Sequence, residues 1–192
     1  MQEIIVATNN KHKLDEIREI LKDTYVVKSL KDIGLNIEVE EDGRTFYENA
    51  LKKAQAVAQL TGRAALADDS GLVVSALGGA PGVYSARFAG ESSTDAQNNQ
   101  KLLKCLKGVN ERSAYFMCAI VLYFPNGSEI AAEGRAYGCI LHQERGASGF
   151  GYDPLFLSND LNKTFAEATP AEKNLVSHRS RALADLKTKL NF

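Results

Sequence analysis

Ile4-Ile5-Val6-Ala7-Thr8-Asn9-Asn10-Lys11-His12-Lys13 passes from four apolar residues to three that cap helices, and Leu14, Ile17, Ile20 and Leu21 then recur at helical spacing. The segment predicts a strand, a tight turn and a helix. Tyr25 to Leu30 reads as a second strand, so the opening is a candidate β-α-β unit whose first turn lies at the carboxyl end of a parallel strand. Ligands favour that position. Backbone donors at the helix start, the polar side chains of Thr8, Asn9, Asn10 and His12, and the two lysines suit phosphate oxygens. The competing reading is a capped surface helix with solvated lysines.

Further along, Thr45-Phe46-Tyr47-Glu48 is a capping-box pattern, and Ala50, Leu51, Ala54, Val57 and Ala58 share one face of the helix it opens until Thr61-Gly62 stops it. The acidic stretch Glu38-Val39-Glu40-Glu41-Asp42 precedes it. Ala64 to Ala67 reads as a strand ending at Asp68-Asp69-Ser70-Gly71, with an apolar run resuming at Leu72. The loop from Gly78 to Ser85 carries too much Gly and Pro for regular structure and is expected to wrap or close over something. Leu102, Leu103 and Leu106 mark a helix, and the apolar span Ala114 to Phe124 meets Glu129 to Ala132 across Pro125-Asn126-Gly127, a hairpin signal that makes the sheet mixed. A second glycine-rich loop, Gly146 to Asp153, precedes a helical region opened by Thr169-Pro170 with Glu172 at the capping-box position.

The 192 residues fit one α/β domain spanning 1–192, able to bury a core without disulfides or a structural metal. With 23 basic against 24 acidic side chains there is no global positive field for a polynucleotide, so nucleic acid is not an expected partner. Cys105, Cys118 and Cys139 are odd in number and far apart, which reads as reduced, partly buried thiols. An acid at position 3 and the lack of a long apolar stretch argue against secretion and the membrane, and point to a cytoplasmic protein.

Adjacent carboxylates at Asp68 and Asp69 repel unless a cation or hydrogen-bond donors relieve them. Mg2+ would do so, held by one or two carboxylates plus substrate phosphates, with Glu38, Glu40 or Glu41 adding a ligand if that loop folds back. The pair also reads as a turn cap. No Walker A string occurs, nor a G-x-G-x-x-G following a strand. In Ser148-Gly149-Phe150-Gly151-Tyr152-Asp153 the glycines let backbone approach a ligand while Phe150 or Tyr152 stacks on a planar base; a tight turn with core aromatics is the plainer version. Lys173, Ser177, His178, Arg179 and Arg181 concentrate donors that suit purine acceptors or phosphate, or else form a solvated face. Together these supply the inventory of a nucleotide hydrolase.

The strings Ala7 to Lys13, Thr45 to Ala50, Ala67 to Leu72, Gly78 to Gly90, Gly149 to Phe156 and Ser177 to Arg179 closely resemble the inosine triphosphate pyrophosphatase family, the XTP/dITP diphosphatases, over essentially the whole chain. The resemblance implies an elongated two-lobed α/β fold around a mixed, twisted β-sheet flanked by helices, with the active site in the cleft between lobes, and a homodimer. It implies that Thr8, Asn9, Asn10, Lys11, His12 and Lys13 bind the triphosphate and that Ser70 contacts the nucleotide. Phe150, Gly151, Tyr152, Asp153 and Lys173 then line the substrate pocket, and His178 and Arg179 contact the base. Asp69 is implied as the catalytic acid-base residue and a Mg2+ ligand. Glu40, from the acidic stretch that the family pattern points to, and Asp68 are taken with Asp69 as the metal set, with Glu38 and Glu41 as rivals of Glu40.

The implied reaction is Mg2+-dependent attack of water on the α-phosphorus of ITP, dITP or XTP, giving monophosphate and pyrophosphate and cleansing the nucleotide pool before these bases enter DNA and RNA. Donors at His178 or Arg179 would pair with a 6-oxo group and be left unpaired by adenine. A nucleotide sensor without turnover, and a hydrolase of other triphosphates, are the rival readings; product analysis separates them.

Overall fold

The computed structural model describes residues 2–190. The opening segment forms strand β1 (Gln2–Val6), helix α1 (Lys11–Leu21) and strand β2 (Tyr25–Ser29), with β1 and β2 parallel. Asn10 caps α1 by accepting from Lys13 N at 3.2 Å. Helix α2 (Phe46–Thr61) starts at Thr45, whose hydroxyl accepts from Glu48 N, and stops at Gly62 in the left-handed region with φ 64°. Both ends follow from their residue types: a hydroxyl satisfies one orphan N–H, and glycine takes positive φ without a Cβ penalty.

Strand β3 corrects the sequence expectation. It runs ten residues, Ala65–Val74, straight through Asp68 and Asp69 instead of ending there. Its early part lies parallel to β1. A single turn of 3-10 helix, Ser75–Leu77, follows, and a second 3-10 helix, Gly82–Arg87, occupies the segment expected to lack regular structure. Helix α3 (Asp95–Cys105) opens on a full capping box between Thr94 and Gln97. Strands β4 (Ser113–Tyr123) and β5 (Glu129–Ile140) flank the anticipated tight turn, closed by Phe124 N donating to Ser128 O at 2.9 Å. Strand β6 (Phe156–Ser158) pairs antiparallel with β5. The predicted carboxy-terminal helical region divides at Ser177, whose backbone is extended, into α4 (Pro170–Val176) and α5 (His178–Lys189).

The six strands form one mixed sheet in the order β2-β1-β3-β4-β5-β6, flanked by helices. The chain groups into two compact units. The first holds Met1–Asp69, Cys118–Gly134 and Arg179–Phe192, and the second holds Ser70–Met117 and Arg135–His178. The first unit has two apolar clusters. One joins Leu66 of β3 to Leu14, Ile17 and Leu21 of α1 and to Ala182, Leu183 and Leu186 of α5. The other joins Ala65 and Ala67 to Ala50, Ala54, Val57 and Ala58 of α2. The second unit is centred on Leu72, Leu102, Phe116, Tyr152, Phe156 and Phe165. All three cysteines are free; Cys118 is buried and Cys105 is exposed. Among the described residues no helix is long and apolar enough to cross a membrane.

Ile17 is fully buried in the α1 cluster. Replacing it with alanine removes three methylene-scale groups and leaves a cavity, so Ile17→Ala is expected to lower unfolding free energy by about 2–5 kcal/mol, read as a shifted urea midpoint at unchanged slope.

Candidate functional site

Side chains along a strand leave alternate faces, and the clusters above fix which face is which in β3. Leu66 and therefore Asp68 point to the side covered by α1 and α5, whereas Ala65, Ala67 and therefore Asp69 point to the side covered by α2. The two carboxylates, adjacent in sequence, enter different surroundings.

Asp68 is 1% exposed. Its Oδ2 accepts from Arg179 Nε at 3.2 Å and Nη2 at 3.0 Å, and Lys13 Nζ stands 3.3 Å away. Arg179, itself fully buried, also pairs with Glu16 of α1. Burial works against the charge on Asp68, but Lys13, Arg179 and Lys53 outweigh it and hold the carboxyl well below the usual carboxylate range. Cys118 lies beside this carboxylate, Sγ to Oδ2 3.9 Å, and burial pushes its thiol pKa up, so it stays protonated.

Asp69 is 5% exposed and accepts from Asn49 Nδ2 at 3.0 Å through Oδ2. Asn49 is fully buried, and its own oxygen accepts from Gly43 N at 2.8 Å. The orientation of this amide is thereby fixed, with oxygen to the loop and nitrogen to Asp69. A Cβ at position 43 would lie 2.5 Å from Asn49 Oδ1, so only glycine lets the acidic loop approach. Lys53, one turn beyond Asn49 on α2, places Nζ 3.0 Å from Glu41 Oε1 and 3.8 Å from Asp69 Oδ1. Burial is the largest influence on Asp69 and, with Glu41, pushes its carboxyl above the usual value against the pull of Lys53 and Lys13.

In the first turn, Thr8 Oγ1 accepts from Asn10 N at 3.2 Å, and Asn9 Nδ2 donates to Ile37 O at 3.1 Å, tying the turn to the segment leading into the acidic stretch. Lys11 and His12 are exposed, and Lys13 is largely buried against Asp68.

In the second unit, Asp153 organises the glycine-rich loop. Its Oδ2 accepts from Phe150 N at 3.0 Å and from Lys173 Nζ at 2.7 Å, and Lys173 Nζ sits 4.6 Å from the Phe150 ring centroid. Gly149 has φ 79°, and a Cβ there would meet Asp153 Oδ2 at 2.2 Å. Tyr152 is buried and donates its hydroxyl to Ser85 O at 2.8 Å. His178 is buried with its ring stacked on Phe116, centroids 4.9 Å apart. Ser70, following Asp69 in β3, is half-buried.

The geometry gives four of the residues singled out from sequence definite surroundings. Asp68 is an ion-pair anchor facing Arg179 and Lys13, because strand alternation turns it away from Asp69. Arg179 pairs with Asp68 and Glu16. Glu40 and Glu38 are exposed, and Glu41 is the acid of that stretch that joins Lys53 and Asp69. Tyr152 is spent on the Ser85 carbonyl, leaving Phe150 as the half-buried aromatic of the loop. Sequence reading passed over Asn49, Lys53 and Glu16, although a polar Asn49 on the otherwise apolar stripe of α2 was a usable signal.

The sequence profile of the Ham1 family matches residues 4–189. The chain is 51% identical to the dITP/XTP pyrophosphatase of Clostridium perfringens over 99% of this chain and 98% of that protein, and 49% identical to that of Bacillus subtilis over 97% and 96%. Among solved structures it is similar to the Staphylococcus aureus Ham1 protein, with a TM-score of 0.89 at 39% identity over 99% of this chain and 98% of that one. It is equally similar to a HAM1 protein from Coxiella burnetii, with a TM-score of 0.89 at 43% identity over 100% and 99%.

Arg179→Met strands Asp68 and Glu16 without their shared cation, so a loss of about 3–5 kcal/mol is expected at pH 7 by urea unfolding. Because the native pKa of Asp68 is depressed, its contribution is complete above pH about 4, the unfolded carboxylate value, and is lost as pH falls toward the native one. The gap between wild type and variant should therefore narrow below pH about 4.

Proposed function

The chain belongs to the Ham1 family, and we propose from that premise that it hydrolyses dITP, XTP and ITP to the monophosphate and pyrophosphate, with Mg2+, in the cytoplasm. Its class is that of a nucleoside triphosphate pyrophosphohydrolase. The observation that carries the reading is the convergence of Asp69 and Glu41 on one ammonium, that of Lys53.

Two carboxylates on one cation are the donor set of a Mg2+ site that takes its remaining ligands from substrate phosphates and water. We assign the metal to Asp69 and Glu41, in place of the earlier set with Glu40 and Asp68. When bound there, Mg2+ neutralises phosphate charge and makes the α-phosphorus more electrophilic.

The chain's own groups do the rest. Asp69 accepts the proton of the attacking water. The Asn49 amide holds its carboxylate oxygen at a fixed angle. The N–H groups at the start of α1, with Thr8, Asn9, Asn10, Lys11, His12 and Lys13, take the triphosphate, and the lysines neutralise charge on departing pyrophosphate. Ser70 contacts the nucleotide. Phe150, Gly151, Tyr152, Asp153 and Lys173 form the base-binding group, Phe150 supplying the ring face. His178 and Arg179 are the donors for a 6-oxo acceptor that adenine lacks. The homodimer implied by the resemblance is checked by light scattering, which should return the mass of two chains.

Pyrophosphate release is to be measured from dITP, XTP, ITP, ATP, GTP and dTTP, with Mg2+ and with a chelator. Release confined to the first three and abolished by chelation is the expected result; orthophosphate with diphosphate, or binding without turnover, overturns it. Asp69→Asn should lower kcat by roughly 10²–10⁴-fold. Glu41→Gln should raise the Mg2+ concentration for half-maximal rate by about 10-fold or more, while Glu40→Gln leaves it near wild type; the reverse order overturns the assignment of Glu41.

A further inference from the structure

Helix α3 turns a polar face to the glycine-rich loop. Asp95 and Asn99, four residues apart and so on one side of the helix, take both main-chain polar groups of Gly151. Asp95 Oδ2 accepts from Gly151 N at 2.6 Å, and Asn99 Nδ2 donates to Gly151 O at 3.2 Å. The same Asn99 nitrogen donates to Glu144 Oε1 at 3.0 Å. Gly151 stands at φ 60° and Gly149 at φ 79°, so two of the loop's residues occupy a region that glycine enters and leaves freely.

Asn99 is 3% exposed, yet its Oδ1 has no hydrogen-bond partner among the described residues. A buried, unsatisfied acceptor is a cost to stability. The amide is therefore oriented for what its nitrogen holds. Asp95 sits in the first turn of α3, at the helix N-terminus. Tyr152, next in sequence to Gly151, is itself held by its hydroxyl donating to Ser85 O.

We propose that Asp95 and Asn99 are positioning residues that clamp the Gly151 backbone and so preset Phe150 and Asp153 for the purine base. The proposal rests on reading this loop as the base-binding group. A clamped loop meets the base already ordered, and an unclamped one must lose glycine conformational freedom on binding, which weakens substrate affinity without touching the chemical step. The clamp lies within the second unit, so pyrophosphate, assigned to residues of the first unit, should not sense it.

The variants are Asn99→Leu, which is close in volume and also removes the unsatisfied acceptor; Asp95→Leu; and Asp95→Asn, which keeps an oxygen for Gly151 N–H. Steady-state rates are measured with dITP and Mg2+, alongside inhibition by inorganic pyrophosphate. Asn99→Leu and Asp95→Leu should raise KM roughly tenfold with kcat within about twofold of wild type, the pattern of lost uniform binding. The pyrophosphate inhibition constant should stay unchanged, and Asp95→Asn should recover a near wild-type KM. An unchanged KM in both leucine variants, or pyrophosphate inhibition weakened in step with KM, overturns the clamp. If wild type turns over none of dITP, XTP and ITP, the functional reading fails on its own. Amide hydrogen exchange then decides the clamp: faster exchange in Asn99→Leu confined to residues 149–153 supports it, and exchange equal to wild type overturns it.

Discussion

Because successive side chains of a strand leave opposite faces, the run Asp68-Asp69 in β3 delivers one carboxylate to α1 and α5 and the other to α2. Everything chemical in the first unit follows from that divergence. On one side a fully buried arginine closes an ion-pair group with Asp68, Glu16 and Lys13. On the other, Asn49 and Lys53 meet Asp69 and connect it to the acidic loop. A one-residue slip of β3 would exchange the two environments and leave each acid with the wrong partners.

The two sides are built for opposite ends. Asp68 is so surrounded by positive charge that it stays ionised, and its role is to hold Lys13 and Arg179 in place. Asp69 is desolvated and set against a second carboxylate, so its proton affinity rises. Two chemically identical side chains thus acquire opposite proton affinities from their environments. The ion-paired Asp68 lies beside Asp69 along the same strand, which anchors both carboxylates to the core.

The framework was legible because it rests on periodicity and capping. Leu14, Ile17 and Leu21, the Thr45 and Thr169 capping boxes, and the turn at Pro125-Asn126-Gly127 are local signals, and the structure places helices and strands where they point. The site was legible in its strings and not in its wiring. Arg179 read as a donor for base or phosphate, or else part of a solvated face, and its ion pairs stayed hidden because Asp68 and Glu16 lie 111 and 163 residues away. Gly151 gave no hint of Asp95, 56 residues earlier. The different surroundings of Asp68 and Asp69 were hidden because adjacency in sequence suggests nearness of side chains, which an extended backbone denies. Glu41 could not be separated from Glu40 without the loop's path, and that path is set by Gly43 and Asn49.

That last anchor turns chain length into chemistry. Gly43 is pinned by Asn49, and Glu41 lies two residues upstream, at most about 7 Å of chain away. Exposed loops ordinarily accept added residues with little effect. Here the tether works as a ruler: one residue added between Glu41 and Gly43 leaves the core, the pin and the helix intact while carrying the carboxylate past Lys53 and Asp69.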